Sequence, residues 1–135
     1  MAKETAGIVG TEPLQGYGLP APPKRAKHVF EVPARIAKDT GIANITVVEL
    51  TCEEELMATR RAGGDTIRLA FELAKECLRE VNGKPMSTGD GSADAFWNAS
   101  HVTKVRTLII GAYNKINSPS ADENDSFLRS YKATT

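Results

Sequence analysis

The strongest hydrophobic pattern in the chain runs from Asp65 to Val81, with the sequence DTIRLAFELAKECLREV. Apolar residues recur there at spacings of three and four, which places them on one face of an α-helix. This stripe consists of Ile67, Ala70, Phe71, Ala74, Cys77, Leu78 and Val81, widened by Leu69 and Leu73. Arg68 and Glu72, four positions apart, are expected to form an ion pair outside the stripe. Because so broad an apolar face needs cover from several sides, we predict that this helix is the centre of the fold.

Two segments that precede this helix have the character of β-strands. Residues 27–32, KHVFEV, alternate loosely and end at Pro33, and residues 45–50, ITVVEL, are rich in β-branched side chains. Gly41 and Asn44 lie between the two segments and predict a connection or a wide hairpin. Since two strands alone are marginally stable, we expect them to pack on the helices or to pair with another chain.

Local signals mark the ends of the helices around the central one. Thr51 and Glu54 are spaced as a capping box and predict the start of a helix. The segment Ala62–Asp65, AGGD, ends that helix and begins the central one, which predicts a tight helical hairpin. The segment Asn82–Pro85, NGKP, is expected to stop the central helix.

Three more helices are predicted in the remainder of the chain. A short helix covers Ala93–Ala99, and a long one with a continuous apolar stripe covers Val102–Ile116. A last short helix begins at Ser120 or Asp122, after the break at residues 118–120. The apolar side chains of this last helix are Phe127, Leu128 and Tyr131.

Residues 1–27 are predicted to form an arm that is separate from the domain. They contain four prolines, four glycines and few large apolar side chains, so they bury too little surface to offset the entropy of ordering. Two interpretations stay open: a disordered leader, or an extended arm that becomes ordered on a neighbouring subunit. Residues 28–135 are predicted to form one domain of the mainly α (α+β) class, with a small N-terminal β element followed by a bundle of about four to five helices.

Charge and composition narrow the classes of function. The chain carries 17 basic and 17 acidic residues, a balance that argues against general nucleic-acid binding and favours self-association or a protein partner. Neither a signal peptide at Met1–Gly10 nor a long apolar run is visible, so a cytosolic protein without membrane contact is expected. Cys52 and Cys77 are accordingly expected to be reduced and to pack as small core residues, with a disulfide or a reactive thiol as the alternatives.

Residue patterns that carry catalysis or metal binding are not visible in the sequence. Asp90, Ser92 and Asp94 have the spacing of a calcium loop, but Ala95 replaces the necessary glycine and His101 replaces the necessary glutamate. Phosphate loops, nucleophile elbows and paired catalytic carboxylates are also missing from the sequence. We therefore predict no catalytic, cofactor-binding or metal-binding residues, and a protein that is not an enzyme. A helix-turn-helix DNA-binding motif is disfavoured because the second helix would begin with acidic and apolar residues.

From Ile45 to the C-terminus, the chain resembles the tail assembly chaperones of tailed bacteriophages and prophages. The resemblance lies in three segments: ELTCEEELMATRRAGGD, RLAFELAKECLREVNGKPM and KVRTLIIGAYNKINSPSADENDSFLRS. It implies a non-enzymatic helper that coats the helical tape-measure protein before the tail tube polymerises and that recruits tube subunits. Such a protein is expected to act in the cytoplasm of the bacterial host during assembly.

For a chaperone of this kind, a groove between helices is expected to receive an amphipathic partner helix. We place this predicted partner-binding groove near Leu56, Phe71, Leu78, Leu108 and Tyr113. For any single one of these residues, a position in the hydrophobic core is the alternative. The alternative function is a structural protein of the virion, such as a tail, connector or capsid-decorating subunit, whose N-terminal arm locks onto neighbouring subunits.

Overall fold

A computed structural model describes residues 24–133 of the chain. The predicted N-terminal arm therefore lies outside the described residues, except for its last four positions. In chain order, the strands and helices of the described part are β1 (His28–Glu31), α1 (Ala34–Thr40), β2 (Asn44–Val47), α2 (Cys52–Ala62), α3 (Thr66–Cys77), β3 (Leu78–Val81), β4 (Lys84–Pro85), α4 (Ser92–Trp97), a 3-10 turn (Ser100–Val102), α5 (Thr103–Asn117) and α6 (Ala121–Arg129). The prediction of an α+β fold with mostly helices and a small sheet is confirmed.

The four strands form one antiparallel sheet in the order β1-β2-β3-β4. In its register, Phe30 pairs with Ile45, and Ile45 in turn pairs with Val81. The two predicted strands are thus present, and they are joined by two more that the sequence pattern did not predict. The sheet packs against α5, so the β element lies on the helices as expected.

The central helix ends at Cys77 rather than at Val81, and this part of the prediction was wrong. Residues 78–85 instead form a hairpin whose turn consists of Asn82 (φ 54°) and Gly83 (φ 78°). Two consecutive residues with positive φ are typical of the hairpin turn that matches the twist of a sheet, and Asn-Gly is its preferred sequence. The sequence pattern predicts only a helix stop at Asn82 and Gly83, whereas the structure places a hairpin turn there.

The connection between β1 and β2 contains a helix, α1, that was not predicted, because Gly41 and Asn44 indicated only a connection or a wide hairpin. It begins after Pro33 and ends at Gly41, whose φ of 77° closes the last turn. Asn82 from the β3–β4 turn fastens this connection, because its side chain donates to the carbonyl oxygen of Gly41 at 2.9 Å and accepts from the amide of Ala43 at 2.7 Å.

The predicted helical hairpin of α2 and α3 is confirmed. The Thr51 hydroxyl accepts from the Glu54 amide at 3.2 Å, and the Glu54 carboxylate accepts from the Thr51 amide at 2.9 Å, which completes the capping box. Asp65 caps α3 by accepting from the amides of Ile67 and Arg68.

The hydrophobic core lies between the sheet, the second half of α3 and one face of α5. Its fully buried members include Ile45, Val47, Ala74, Cys77, Leu78, Val105 and Ile109. The first half of α3 extends beyond this core, so Ile67 (69% exposed) and Phe71 (36% exposed) are not buried as the stripe predicted. The expected pair of Arg68 and Glu72 is also not formed, because Glu72 binds other cations.

Candidate partner-binding surface

An open groove lies beside the first half of α3, and we call it the α3 groove. Its lining residues are Asp65, Ile67, Arg68, Phe71, Glu72, Lys75, Trp97, Asn98 and Arg106. The Phe71 and Trp97 rings meet in a tilted contact, with centroids 5.7 Å apart and planes at 57°. Ile67 and Phe71 remain exposed while Trp97 is buried, so the groove offers two apolar side chains, set among polar and charged ones, to an external chain.

The α3 groove carries two arginines, Arg68 and Arg106, beside the exposed Asp65 that caps α3. Arg106 donates to the carbonyl oxygen of Trp97 at 2.7 Å and to the hydroxyl of Thr103 at 3.0 Å, and both acceptors are neutral. Neither Arg106 nor Arg68 forms an ion pair with a carboxylate of residues 24–133. Their charges are therefore available to an acidic partner.

A network of ion pairs stabilises the wall of the groove that Glu72 and Lys75 line. The buried Glu72 carboxylate accepts from Arg61 at 2.7 Å and lies 3.0 Å from the ammonium group of Lys75. Arg61 also binds Glu76 at 2.8 Å, and Lys75 binds Asp94 of α4 at 2.7 Å. Burial by itself raises the pKa of Glu72, but the hydrogen bonds from Arg61 and Lys75 outweigh it and hold that pKa below its ordinary value. The network thus fixes α2, α3 and α4 relative to one another.

A second exposed apolar surface lies on α6 and on Tyr131, two residues after the helix ends. Phe127, Leu128 and Tyr131 are 73%, 66% and 78% exposed, and we call them the C-terminal apolar face. The helix buries none of its residues. Its start is specified locally by a capping box, in which Ser120 accepts from the Glu123 amide at 3.1 Å and the Glu123 carboxylate accepts from the Ser120 amide at 2.7 Å. Local capping, not packing within the described chain, therefore accounts for the start of α6.

The five residues of the predicted partner-binding groove lie in different environments. Leu56 is 51% exposed on α2, and Phe71 lines the α3 groove. Leu78 is fully buried, so it belongs to the core, which was the stated alternative. Leu108 is half-buried beside a small cavity under β1 and β2, and the half-buried Tyr113 donates a hydrogen bond of 3.4 Å to Glu55. Leu108 and Tyr113 pack against the same core that contains Leu78, whereas Phe71 lines the α3 groove. A partner-binding role for the four residues that are not fully buried stays a prediction.

Sequence reasoning missed several residues of the two surfaces. The sequence pattern places Ile67 in the core stripe, predicts that Arg68 pairs with Glu72, and leaves Arg106 facing out from the Val102–Ile116 helix. One available signal was the acidic and apolar composition of SADENDSFLRSY, which resembles an amphipathic docking helix more than a core helix. The exposure of Ile67 has no comparable signal in the sequence, because it depends on how far the hydrophobic core extends along α3.

The cysteines and the acidic residues have local explanations. Cys77 is buried, and burial raises the pKa of its thiol to about 12, whereas Cys52 is exposed at the first position of α2, contrary to the expected core position. Asp90 accepts from Ser92, and Asp94 binds Lys75. Within residues 24–133, no three His, Cys, Asp or Glu side chains are grouped so that they could hold a metal ion. No helix in this part of the chain combines the length and apolar character needed to cross a bilayer.

The α3 groove and the C-terminal apolar face are both exposed apolar surfaces with charged neighbours. Surfaces of this composition are typical of sites for contact with other proteins. Comparison of the chain with protein-family models, with curated protein sequences and with solved structures found no match.

Proposed function

We propose that the chain is a non-enzymatic bacteriophage protein that acts through protein–protein contacts, as a tail assembly chaperone for the tape-measure protein and the tail tube subunits. The observation that carries this proposal is the α3 groove, in which Ile67 and Phe71 lie exposed beside the buried Trp97. A tape-measure protein is long and helical, and an amphipathic helix in an apolar groove is a common mode of recognition. The sequence resemblance from Ile45 onwards supports the same function.

The construction of the groove favours binding without a large rearrangement. Trp97 is held by its contact with Phe71 and by the hydrogen bond from Arg106 to its carbonyl oxygen. The ion pairs of Glu72 and Lys75 fix the helix behind it. Because these side chains are already ordered, they lose little conformational entropy when a partner binds. A larger share of the favourable contact free energy then contributes to the binding free energy.

The test is an affinity pull-down of the full-length chain from its native host, with partners identified by mass spectrometry and purified particles probed for the chain. Ile67→Asp places a charge in the α3 groove, and Met57→Asp is the matched control, because Met57 is 48% exposed on α2 and does not line the groove. We expect the wild type and the Met57→Asp control to recover a long helical tail protein, and the Ile67→Asp variant to lose it. The chain should be missing from finished particles. Equal recovery by all three proteins would refute the role of the groove, and recovery of no tail protein would refute the chaperone function.

The second candidate is a structural subunit of the virion, and the C-terminal apolar face favours it. A projecting helix whose apolar residues are all exposed is suited to lock one subunit onto a neighbour. At the other end of the described chain, Arg25 is fastened to the domain by bonds to the Glu54 carboxylate at 2.6 Å and the Glu49 carbonyl oxygen at 2.8 Å. Finished particles distinguish the two functions, because a structural subunit is present there in a fixed copy number and a chaperone is absent.

A further inference from the structure

We propose that α6 of one copy of the chain docks into the α3 groove of a second copy, so that the protein associates head to tail with itself. This inference rests on the two exposed surfaces and does not depend on the chaperone function. The two surfaces are different patches of the same molecule, so the contact is heterologous. Repetition of such a contact produces a ring or an open chain of subunits.

Both surfaces expose large aliphatic and aromatic side chains. Phe127 and Leu128 are adjacent apolar residues of α6, and Tyr131 follows two positions after the helix ends at Arg129. In the α3 groove, Ile67 and Phe71 present an exposed aliphatic and an exposed aromatic side chain. A short helix with two large exposed apolar side chains, a third just after it and no buried residue of its own is unusual for a protein in water, which argues that another chain covers it.

The charges of the two surfaces are complementary. The first half of α6 carries Asp122, Glu123 and Asp125, and its first basic residue is Arg129 near the end of the helix. The α3 groove carries Arg68 and Arg106, which form no ion pair within the described chain. Its two acidic residues already have partners, because Asp65 caps α3 and Glu72 is paired with Arg61 and Lys75. Opposite charges around an apolar contact orient the two partners and disfavour alternative registers.

A second copy is the occupant that we infer because α6 combines exposed apolar side chains with acidic ones, and the α6 helix of the same chain does not line the groove. Pro119 interrupts the chain directly after α5, and the Ser120 capping box starts a separate helix there. A helix that is separated from the core in this way is available to another molecule. A single helix of nine residues supplies a small contact area, and small interfaces are typical of weak association.

The test is sedimentation velocity of the purified full-length protein at concentrations from about 10 μM to about 1 mM, a range chosen for a weak interface. Phe127→Asp disables α6, with Ser126→Asp as its control on the opposite side of the helix. Ile67→Asp disables the groove, with Met57→Asp as its control. We expect the wild type and both controls to show an average mass that rises with concentration, and each disabled variant to stay monomeric. Circular dichroism checks that every variant is folded, and Arg68→Glu replaces Ile67→Asp if the latter is not.

A mixture of the two disabled variants gives the decisive measurement. The Phe127→Asp chain keeps an intact groove, and the Ile67→Asp chain keeps an intact α6, so an equimolar mixture should form heterodimers and nothing larger. A wild type that remains monomeric over the whole range would overturn the proposal, as would a groove variant that still self-associates through its helix. A mixture that stays monomeric would overturn it as well.

Discussion

Replacing Glu72 by glutamine removes the carboxylate at the centre of the ion-pair network. Its side chain is 7% exposed and binds both Arg61 and Lys75. Breaking a buried pair costs about 3–5 kcal/mol when a cation is left without a counterion. Here Lys75 keeps Asp94, and Arg61 keeps Glu76, so only two charge-assisted hydrogen bonds are lost. At the low end of about 1.5 kcal/mol for each such bond, the expected loss in the free energy of unfolding is about 2–3 kcal/mol.

The effect of this substitution should depend on pH. The pKa of Glu72 lies below its ordinary value of 4.5 in the folded protein, so the carboxylate stabilises the fold at neutral pH. As the pH falls from 4.5 through the folded-state pKa, the carboxylate takes up a proton and this stabilisation is lost. The difference in stability between the wild type and Glu72→Gln should therefore shrink as the pH falls below 4.5.

Urea unfolding, followed by the fluorescence of the buried and single Trp97, measures both effects. Glu53→Gln is the matched control, because Glu53 is exposed in the first turn of α2 and forms no ion pair within the described chain. We expect the control to change stability by less than about 0.5 kcal/mol. A Glu72→Gln loss below about 1 kcal/mol, or one that is the same at pH 7 and under acid conditions, would refute the assigned role of the network.

Three further predictions test other parts of the structure. Cys52 is exposed and should react with Ellman's reagent within minutes at pH 8. Cys77 is buried and the pKa of its thiol is raised to about 12, so it should react only on unfolding. Equal reaction rates of the two thiols would contradict the burial of Cys77. Gly83→Ala should lower stability by about 1–2 kcal/mol in urea unfolding because φ is 78° there, and an unchanged midpoint would contradict the hairpin turn. Phe71→Ala should cost about 1–2 kcal/mol, below the roughly 3–5 kcal/mol of a buried phenylalanine, because Phe71 is 36% exposed; a larger loss would place it in the core.

Signals that act over a few residues were readable from the sequence. The Thr51–Glu54 capping box, the glycines at 63 and 64 and the Asp65 cap predicted the α2–α3 hairpin, and each is present in the structure. The break at residues 118–120 was equally visible, and Ser120, one of the two predicted starts of the last helix, is its N-cap. These features depend on hydrogen bonds and backbone angles within one turn, so the residues that determine them are neighbours in the chain.

Features that depend on distant residues were not readable in the same way. Leu78 and Val81 continue the helical spacing of the central stripe, yet they lie in a strand because β2 is there to pair with them. Pairing of this kind involves residues more than 30 positions apart, and periodicity within one segment carries no information about it.

The sequence by itself determined the helix boundaries that local capping specifies, the α+β class and the amphipathic character of α3, α5 and α6. Only the tertiary structure decided which apolar residues are covered. Cys77 and Ile67 belong to the same predicted stripe, but Cys77 lies against the core and Ile67 lies beyond it. The physical reason is that burial is a property of the surfaces that meet, and a sequence pattern describes only one of them. For the same reason, only the tertiary structure shows that the apolar residues of the α3 groove and of the C-terminal apolar face are left exposed by the core.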